Sequence, residues 1–224
     1  LYEAAKLKGF YVPSLYEVSY NPDGTVKEYR PVYDDIPVKI EKRIIKDLDV
    51  SRFIDTPIMP FIDVVHDRIM LEVYRGCIRG CRFCQAGIIF RPVREKTPDV
   101  LNQQAKCLFE NTGYDEMSLV SLSISDYSRL SELTDKLLEW TDENKVSISL
   151  PSLRVDSFTK ELMDKISTVR TGGLTFAPEA GTQRLRDAIN KNVEEADLLR
   201  ACSVAFAAGK SLVKLYFMQG LPTE

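Results

Sequence analysis

The sequence predicts an α/β fold in which helices alternate with parallel strands. From residue 69 onward, short apolar runs of strand length alternate with longer stretches whose apolar residues recur at helical spacing. The alternation repeats five times over roughly 150 residues, which is typical of parallel strands joined by right-handed helical crossovers. Composition agrees, because 44% hydrophobic and 28% charged residues are ordinary for a folded domain and exclude a disordered chain. The pattern fits either an open doubly wound sheet or part of a (β/α) barrel.

The beginning of the chain differs from this pattern and predicts a small β-containing extension. An Asn-Pro-Asp-Gly turn separates two stretches of strand character, 10–20 and 25–33, which together predict a hairpin. Residues 37–46 offer one further strand. We therefore divide the chain into an extension or linker, residues 1–68, and a core domain, residues 69–224. A separate recognition module is the alternative interpretation of the extension.

Capping signals indicate the ends of two helices in the core domain. Thr97 followed by Pro98 is typical of a helix start, and Gly113 is typical of a helix end. Asn192 with Glu195 resembles a capping box at the start of a later helix.

The predicted core elements are, in order, a strand at 69–74, a helix at 97–113, a strand at 116–124, a helix around 130–137, a strand at 146–153, a helix at 158–169, a strand at 173–177, a short helix at 185–189, a helix at 192–209 and a strand at 212–218.

Three of the five cysteines lie close together, directly after the first core strand. Cys77, Cys81 and Cys84 are not spaced as a disulfide framework, and they indicate a metal site in a reducing compartment, so we expect a cytoplasmic protein. Thiolates suit a [4Fe–4S] cluster, and because a fourth cysteine is not close by, one iron would stay open to a small molecule. The alternative is a zinc site completed by His66, the only histidine in the sequence.

The spacing Cys-x3-Cys-x2-Cys, with the aromatic Phe83 before the last cysteine, resembles the signature of radical S-adenosylmethionine (SAM) enzymes. The resemblance covers about residues 62–224. It implies a partial (β/α) TIM-like barrel of about five to six strands, with the cysteine loop after the first strand. The longer string RGCIRGCRFCQAGIIFRPVR resembles an uncharacterised branch of this superfamily, whose members often carry a cobalamin-binding-like domain upstream. Both ends of the chain look cut, as expected for a piece of a longer protein.

The resemblance implies an enzyme with two cofactors. Cys77, Cys81 and Cys84 would hold a [4Fe–4S] cluster, and SAM bound to its open iron would be cleaved reductively to a 5′-deoxyadenosyl radical. The resemblance also implies an electron donor of the flavodoxin or ferredoxin type. The reaction would be a methylation or a methylthiolation-like modification of a substrate that the sequence does not identify, and cobalamin would come from a domain outside these residues.

The family resemblance also implies SAM contacts at the ends of the first three strands. Phe83 would pack near the adenine, the alternative being simple packing within the loop. Ser123 and Ser125 stand where relatives carry a Gly-Gly-Glu-like stretch, so this sequence departs from the family pattern for the SAM amino group. Strand alternation would place Ser123 and Ser125 on the same side. The alternative is that Ser125 and Asp126 cap the following helix. Arg154 would bind the carboxylate of SAM or of the substrate, the alternative being a surface ion pair with Asp156.

Two later stretches extend the resemblance. Glu179 lies in a stretch similar to Gly-x-Glu-Ser-Gly, and the family reading makes its carboxylate an acceptor for a ribose hydroxyl, the alternative being a charge at a helix start. Gly220 follows the fifth strand, where it would let the backbone approach the adenine.

The cysteine loop lies in a basic stretch. Residues 75–96 contain six basic side chains and one acid, a net charge of +5 in a chain whose formal net charge is −3. Such a patch could steer RNA phosphates or another anionic substrate, or it could offset the charge of cluster and SAM. The competing function is therefore a zinc-stabilised RNA-binding module without radical chemistry. No apolar run approaches about 18 residues, so no membrane span is predicted.

Overall fold

The computed structural model describes residues 1–62, 64–151, 153–156 and 174–224. Within these residues the chain forms two compact units, Leu1–Lys46 and Asp47–Glu224. The division comes earlier than the expected boundary after residue 68. The physical reason is that the residues following Lys46 already belong to the second unit, where Leu48 is fully buried.

The first unit is built on an antiparallel hairpin, as the sequence predicts. After helix α1 (Tyr2–Ala5) and a 3₁₀ turn, strand β1 (Tyr16–Tyr20) pairs with strand β2 (Val26–Pro31). Residues 37–46 form no strand, so that part of the prediction is wrong. Ile44 and Ile45 in this stretch are adjacent and both exposed, and the stretch therefore lacks the alternating buried face of a strand.

The second unit contains two parallel sheets. In chain order its described strands are β3 (Ile69–Glu72), β4 (Tyr74–Arg75), β5 (Arg94–Glu95), β6 (Glu116–Val120), β7 (Ser147–Ser149), β8 (Leu174–Glu179) and β9 (Val213–Phe217). Strands β3, β6 and β7 pair in that order, and β8 pairs with β9, all in parallel, which confirms the α/β class. The antiparallel pair β4 and β5 flanks the cysteine loop on both sides. The described strands do not close into a barrel.

Helices follow the strands in the predicted order. The predicted helix at 158–169 lies outside the described residues. Glu194 and Asp197 form the capping box of the last helix, so the predicted box at Asn192 and Glu195 is wrong; the Glu194 amide donates to the Asp197 carboxylate at 3.0 Å. The described helices of this unit are α2 (Ala86–Ile89), α3 (Pro98–Thr112), α4 (Leu130–Thr141), α5 (Gln183–Ala188) and α6 (Glu195–Ala207).

The core of the second unit lies between the three-stranded sheet and the helices α3 and α4. Leu71 and Leu119 from the sheet and Leu101 and Leu137 from the helices are almost completely buried in it. Burying each such side chain stabilises the fold by about 1.5–3 kcal/mol. This packing fixes the sheet, and with it the loops at the carboxyl ends of β3, β6 and β7.

Candidate active site

The loop of three cysteines forms one wall of a cleft of about 300 Å³. Cys77, Cys81 and Cys84 are all partly exposed, and none of them forms a disulfide. The opposite walls come from the segments that follow β6 and β7, from strands β8 and β9 themselves, and from the turn that carries Lys191. Segments that follow parallel strands are where such a sheet presents its functional groups. The lining side chains outside the cysteine loop include Leu122, Ser123, Pro151, Leu153, Arg154, Thr175, Phe176, Glu179, Lys191 and Tyr216.

The described residues do not form a ready-made site for a single metal ion. Among the described residues, no three Cys, His, Asp or Glu side chains converge as ligands of one metal ion. In an iron–sulfur cluster each thiolate binds a different iron, so thiols that surround a shared volume are sufficient. His66 is exposed and does not line the cleft, so the alternative zinc site is not assembled.

Local backbone geometry bends the cysteine loop. Gly76 has a φ of 100°, and a Cβ at this position would lie 2.8 Å from the carbonyl oxygen of Phe90, so only glycine fits. The amide of Arg79 donates to the Sγ atom of Cys77 at 3.4 Å.

An ionic network ties the cysteine loop to the ends of β6 and β7. The Arg79 guanidinium donates through Nε to Asp126 at 2.9 Å and lies 3.2 Å from Asp156. Asp156 also pairs with Arg154 at 2.9 Å, and Ser123 donates to Asp126 at 2.8 Å. Because Asp126 and Arg154 are mostly shielded from water, these contacts are stronger than ordinary surface pairs.

The pair of Arg79 and Asp126 at the centre of this network stays charged. Burial alone would raise the pKa of Asp126, but hydrogen bonds from Arg79 and Ser123 outweigh burial and hold this pKa below its ordinary value. The hydrogen bond to Asp126 raises the pKa of Arg79 in turn. Burial, together with the charge of Asp126, raises the pKa of the neighbouring Tyr74 to about 12. The arginine and the carboxylate therefore stay ionised at neutral pH, while the tyrosine stays neutral.

Glu179 occupies a strained position beside the cleft. Its φ of 68° lies in the left-handed region, where β8 loses register with β9. Its carbonyl oxygen accepts a hydrogen bond from the Met218 amide at 2.8 Å, and its carboxylate pairs with Lys191 at 3.1 Å. A non-glycine residue in this conformation costs about 1–3 kcal/mol and is common at functional sites.

The cleft brings together most of the predicted site residues. Phe83, Ser123, Arg154 and Glu179 line it together with the three cysteines. Arg154 makes the alternative ion pair: its Nε and Nη2 atoms donate to the two oxygens of the Asp156 carboxylate at 2.9 and 3.3 Å.

Two predicted site residues lie outside the cleft lining. Ser125 accepts a hydrogen bond from the Arg154 amide at 3.1 Å, and Gly220 lies in the turn after β9 with a φ of 74°. The expectation that Ser123 and Ser125 share one side is wrong. The strand ends at Val120 and the chain then enters a 3₁₀ turn at Ile124–Asp126, so strand alternation no longer applies.

Sequence reasoning missed the groups that hold the site in place. Arg79 is visible in the sequence only as one member of a basic stretch, and neither Lys191 nor Tyr216 belongs to a recognisable motif. An arginine between two clustered cysteines, followed by an aspartate after the next strand, was the available signal for the Arg79–Asp126 pair.

The basic stretch is largely used inside the molecule. Arg75 pairs with Glu72 at 2.7 Å, and the Arg79 guanidinium binds the two aspartates described above. Lys96 is buried and donates to Gln104 at 2.9 Å. Much of the +5 charge therefore holds the cysteine loop and its flanks together.

Comparison with protein families identifies the fold of this site. The family described as the radical SAM superfamily matches residues 71–224. An uncharacterized protein of Methanocaldococcus jannaschii is 41% identical over 155 residues, which is 69% of this chain and 33% of that protein. A putative methylthiotransferase of the same organism is 24% identical over 165 residues, or 70% of this chain and 36% of that protein. The chain thus spans about a third of the length of these curated relatives.

Two solved structures share the fold. The radical SAM methyltransferase TsrM from Kitasatospora setae, with cobalamin and a [4Fe–4S] cluster bound, has a TM-score of 0.60 and 12% identity, over 70% of this chain and 32% of that chain. The cobalamin-dependent radical SAM enzyme OxsB, with aqua-cobalamin and SAM bound, has a TM-score of 0.52 and 15% identity, over 67% and 23%. These likenesses support the predicted partial (β/α) barrel.

The alternative of a zinc-stabilised RNA-binding module finds no support in these comparisons. Among the described residues, none of the helices combines the length and the apolar character needed to cross a membrane. The cysteine spacing, the parallel strands and the family match over residues 71–224 agree, and this chain belongs to the radical SAM superfamily.

Proposed function

We propose that this chain is the core of a radical SAM enzyme in which Cys77, Cys81 and Cys84 bind a [4Fe–4S] cluster and the adjoining cleft binds SAM. One observation carries the proposal. The three partly exposed thiols share one cleft with an arginine, a glutamate and a serine that come from the ends of three other segments.

The donor set fits both cofactors. Three free thiols supply the soft ligands that iron takes, and they leave one iron position for a small molecule. The cleft, at about 300 Å³, is at the lower end of the range for small-molecule sites, roughly 300–1,000 Å³. When bound, a reduced [4Fe–4S] cluster supplies the electron that splits SAM into methionine and a 5′-deoxyadenosyl radical.

The protein side chains position SAM. The Arg154 guanidinium, fixed by Asp156, presents donors for a carboxylate, and the Glu179 carboxylate, fixed by Lys191, presents acceptors for hydroxyl groups. Phe83 offers an aromatic surface for the adenine, and Ser123 offers a hydroxyl near the cluster loop. Because Asp156 and Lys191 already hold Arg154 and Glu179 in place, these two side chains lose less conformational entropy when SAM binds.

The reaction that we propose is a methylation or a methylthiolation-like modification. The support is the likeness to a methyltransferase in fold and to a putative methylthiotransferase in sequence. Cobalamin, bound in both solved relatives, would come from a part of the protein outside these residues. We further propose an electron donor of the flavodoxin or ferredoxin type and an anionic substrate, with RNA as one class. The support for the anionic substrate is the net charge of +5 over residues 75–96, of which the ion pairs of Arg75 and Arg79 take up a part.

Iron and sulfide analysis tests the ligand assignment. After anaerobic reconstitution, we expect about four irons and four sulfides per chain, and a large loss of both in Cys77→Ala, Cys81→Ala and Cys84→Ala. Cys107→Ala is the matched control, because Cys107 is also partly exposed but lies on α3 away from the cleft. Full cluster content in any of the three loop variants, or zinc in place of iron in the unmodified protein, would overturn the proposal.

A further inference from the structure

The turn that follows α5 holds the middle of the cysteine loop. The Arg82 amide donates to the carbonyl oxygen of Ile189 at 2.9 Å, and the Arg82 guanidinium donates to the carbonyl oxygen of Ala188. Asn190 reaches back to the loop, and its Nδ2 atom donates to the carbonyl oxygen of Gly80 at 2.8 Å. Three hydrogen bonds therefore join the loop to a segment more than a hundred residues further along the chain.

The turn itself is firmly placed. Leu185 on α5 and Ile189 directly after it are buried in a small apolar cluster. Arg186 is also buried, and its guanidinium donates to the carbonyl oxygens of Ala180 and Val193 at 3.1 and 2.8 Å. The turn can therefore serve as a fixed support for the cysteine loop.

The backbone of Asn190 is in the left-handed conformation, with a φ of 55°. Asparagine tolerates this conformation better than most residues that carry a Cβ atom. The conformation lies at the position from which the side-chain amide reaches Gly80. The sequence thus combines a rare backbone geometry with one specific hydrogen bond.

The residue type at position 80 also reflects the contact between Gly80 and Asn190. Its φ is not left-handed, so backbone conformation does not require glycine there. A Cβ atom at this position would lie 2.9 Å from the Nδ2 atom of Asn190, and no other atom lies within 4 Å. The contact with Asn190 therefore accounts for glycine at position 80, whereas Gly76 is required by its own conformation.

We propose that Asn190 is a positioning residue for the cluster: its hydrogen bond to Gly80 sets the spacing between Cys77 and Cys81 before the cluster binds. The inference rests on the proposed function, because it assumes that these cysteines are the ligands. Groups that orient metal ligands typically change metal affinity about 10- to 100-fold when they are removed. An ordered loop also loses less conformational entropy when the cluster binds.

The first test replaces the donor with an acceptor of the same shape. Asn190→Asp keeps the size and the tolerance of the left-handed conformation, but it places a carboxylate oxygen against the carbonyl oxygen of Gly80. We expect iron loss to a chelator to become about tenfold faster than in the unmodified protein, with an unchanged melting temperature. Asn144→Asp is the matched control, because Asn144 makes the same kind of bond, to the carbonyl oxygen of Trp140 at 2.8 Å, at the end of α4.

The second test is a double-mutant cycle between the two contacting residues. Gly80→Ala should displace the Asn190 amide and accelerate iron loss. Asn190→Gly keeps the left-handed backbone but removes the amide, so Gly80→Ala should add little in that background. Strictly additive effects of the two substitutions would contradict the proposed contact.

Hydrogen exchange of the cluster-free protein separates the two proposals. In the unmodified apoprotein the Arg82 amide should be protected, and it should exchange faster in Asn190→Asp but not in Asn144→Asp. If the unmodified protein binds a cluster and all variants lose iron at the same rate, the role of Asn190 is refuted and the proposed function stands. If the unmodified protein binds no cluster under anaerobic reconstitution, the proposed function fails, and the role of Asn190 fails with it.

Discussion

At the scale of single residues, Arg79 connects the cysteine loop to two neighbouring strand ends. Its guanidinium binds Asp126 and Asp156, and its amide contacts the sulfur of Cys77. The residue lies between Cys77 and Cys81, two of the proposed cluster ligands, so its ion pairs connect the loop to the segments after β6 and β7. Arg79 therefore has a structural role in the cysteine loop.

Replacing Arg79 with alanine should destabilise the protein. The substitution leaves the shielded Asp126 carboxylate without its main partner, and we expect a loss of about 1–3 kcal/mol in the free energy of unfolding. Arg75→Ala is the control, because Arg75 makes a more exposed pair with Glu72 and should cost less than about 1 kcal/mol. Urea denaturation of the apoproteins measures both values, and equal losses in the two variants would contradict the assigned role.

Single residues also mark the limit of sequence reasoning. The three cysteines could be assigned to one site from their spacing alone, because ligands on one short loop are necessarily close together. Ser125 could not be placed, because a strand that ends a few residues early changes the direction of every side chain after it. Lys191 could not be found at all, because its contact with Glu179 depends on how a distant turn returns to the sheet.

At the scale of elements, the sequence predicted the ends of a helix well where the backbone conformation restricts which residue can stand there. Helix α3 begins at Pro98 and ends before Gly113, which has the left-handed conformation with a φ of 71°. The predicted Asn192 box failed because Glu194 and Asp197, two residues further along, satisfy the same pattern reciprocally. Capping patterns therefore locate a helix start to within a turn, and the side chains that bond reciprocally at the helix end decide between neighbouring candidates.

The helix end at Gly113 gives a prediction for this scale. Gly113→Ala should lower the free energy of unfolding by about 1–2 kcal/mol, because a side chain in the left-handed region is strained even though no atom lies within 4 Å of the added Cβ. Gly181→Ala is the matched control, since it also has open space but no left-handed φ, and its stability should stay nearly unchanged. Thermal or urea unfolding would compare the two, and equal stabilities would show that the cap does not matter.

At the scale of the whole molecule, the cleft gathers side chains from Cys77 to Tyr216. The family resemblance implied contacts at the ends of the strands, and residues from the segments after β6 and β7 line the cleft together with the cysteine loop. The ion pairs that fix the site join separate strands and loops, so no local pattern contains them. The fold class was therefore predictable from periodicity, whereas the supports of the cleft became visible only in three dimensions.

We propose that the three cysteines hold a cluster with one iron open to SAM. Low-temperature electron paramagnetic resonance of the reconstituted, dithionite-reduced protein, recorded with and without SAM, tests it most directly. We predict the signal of a reduced [4Fe–4S] cluster whose g values shift when SAM is added. A cluster signal that SAM leaves unchanged, or the absence of any cluster signal from protein that binds zinc instead, would contradict the claim.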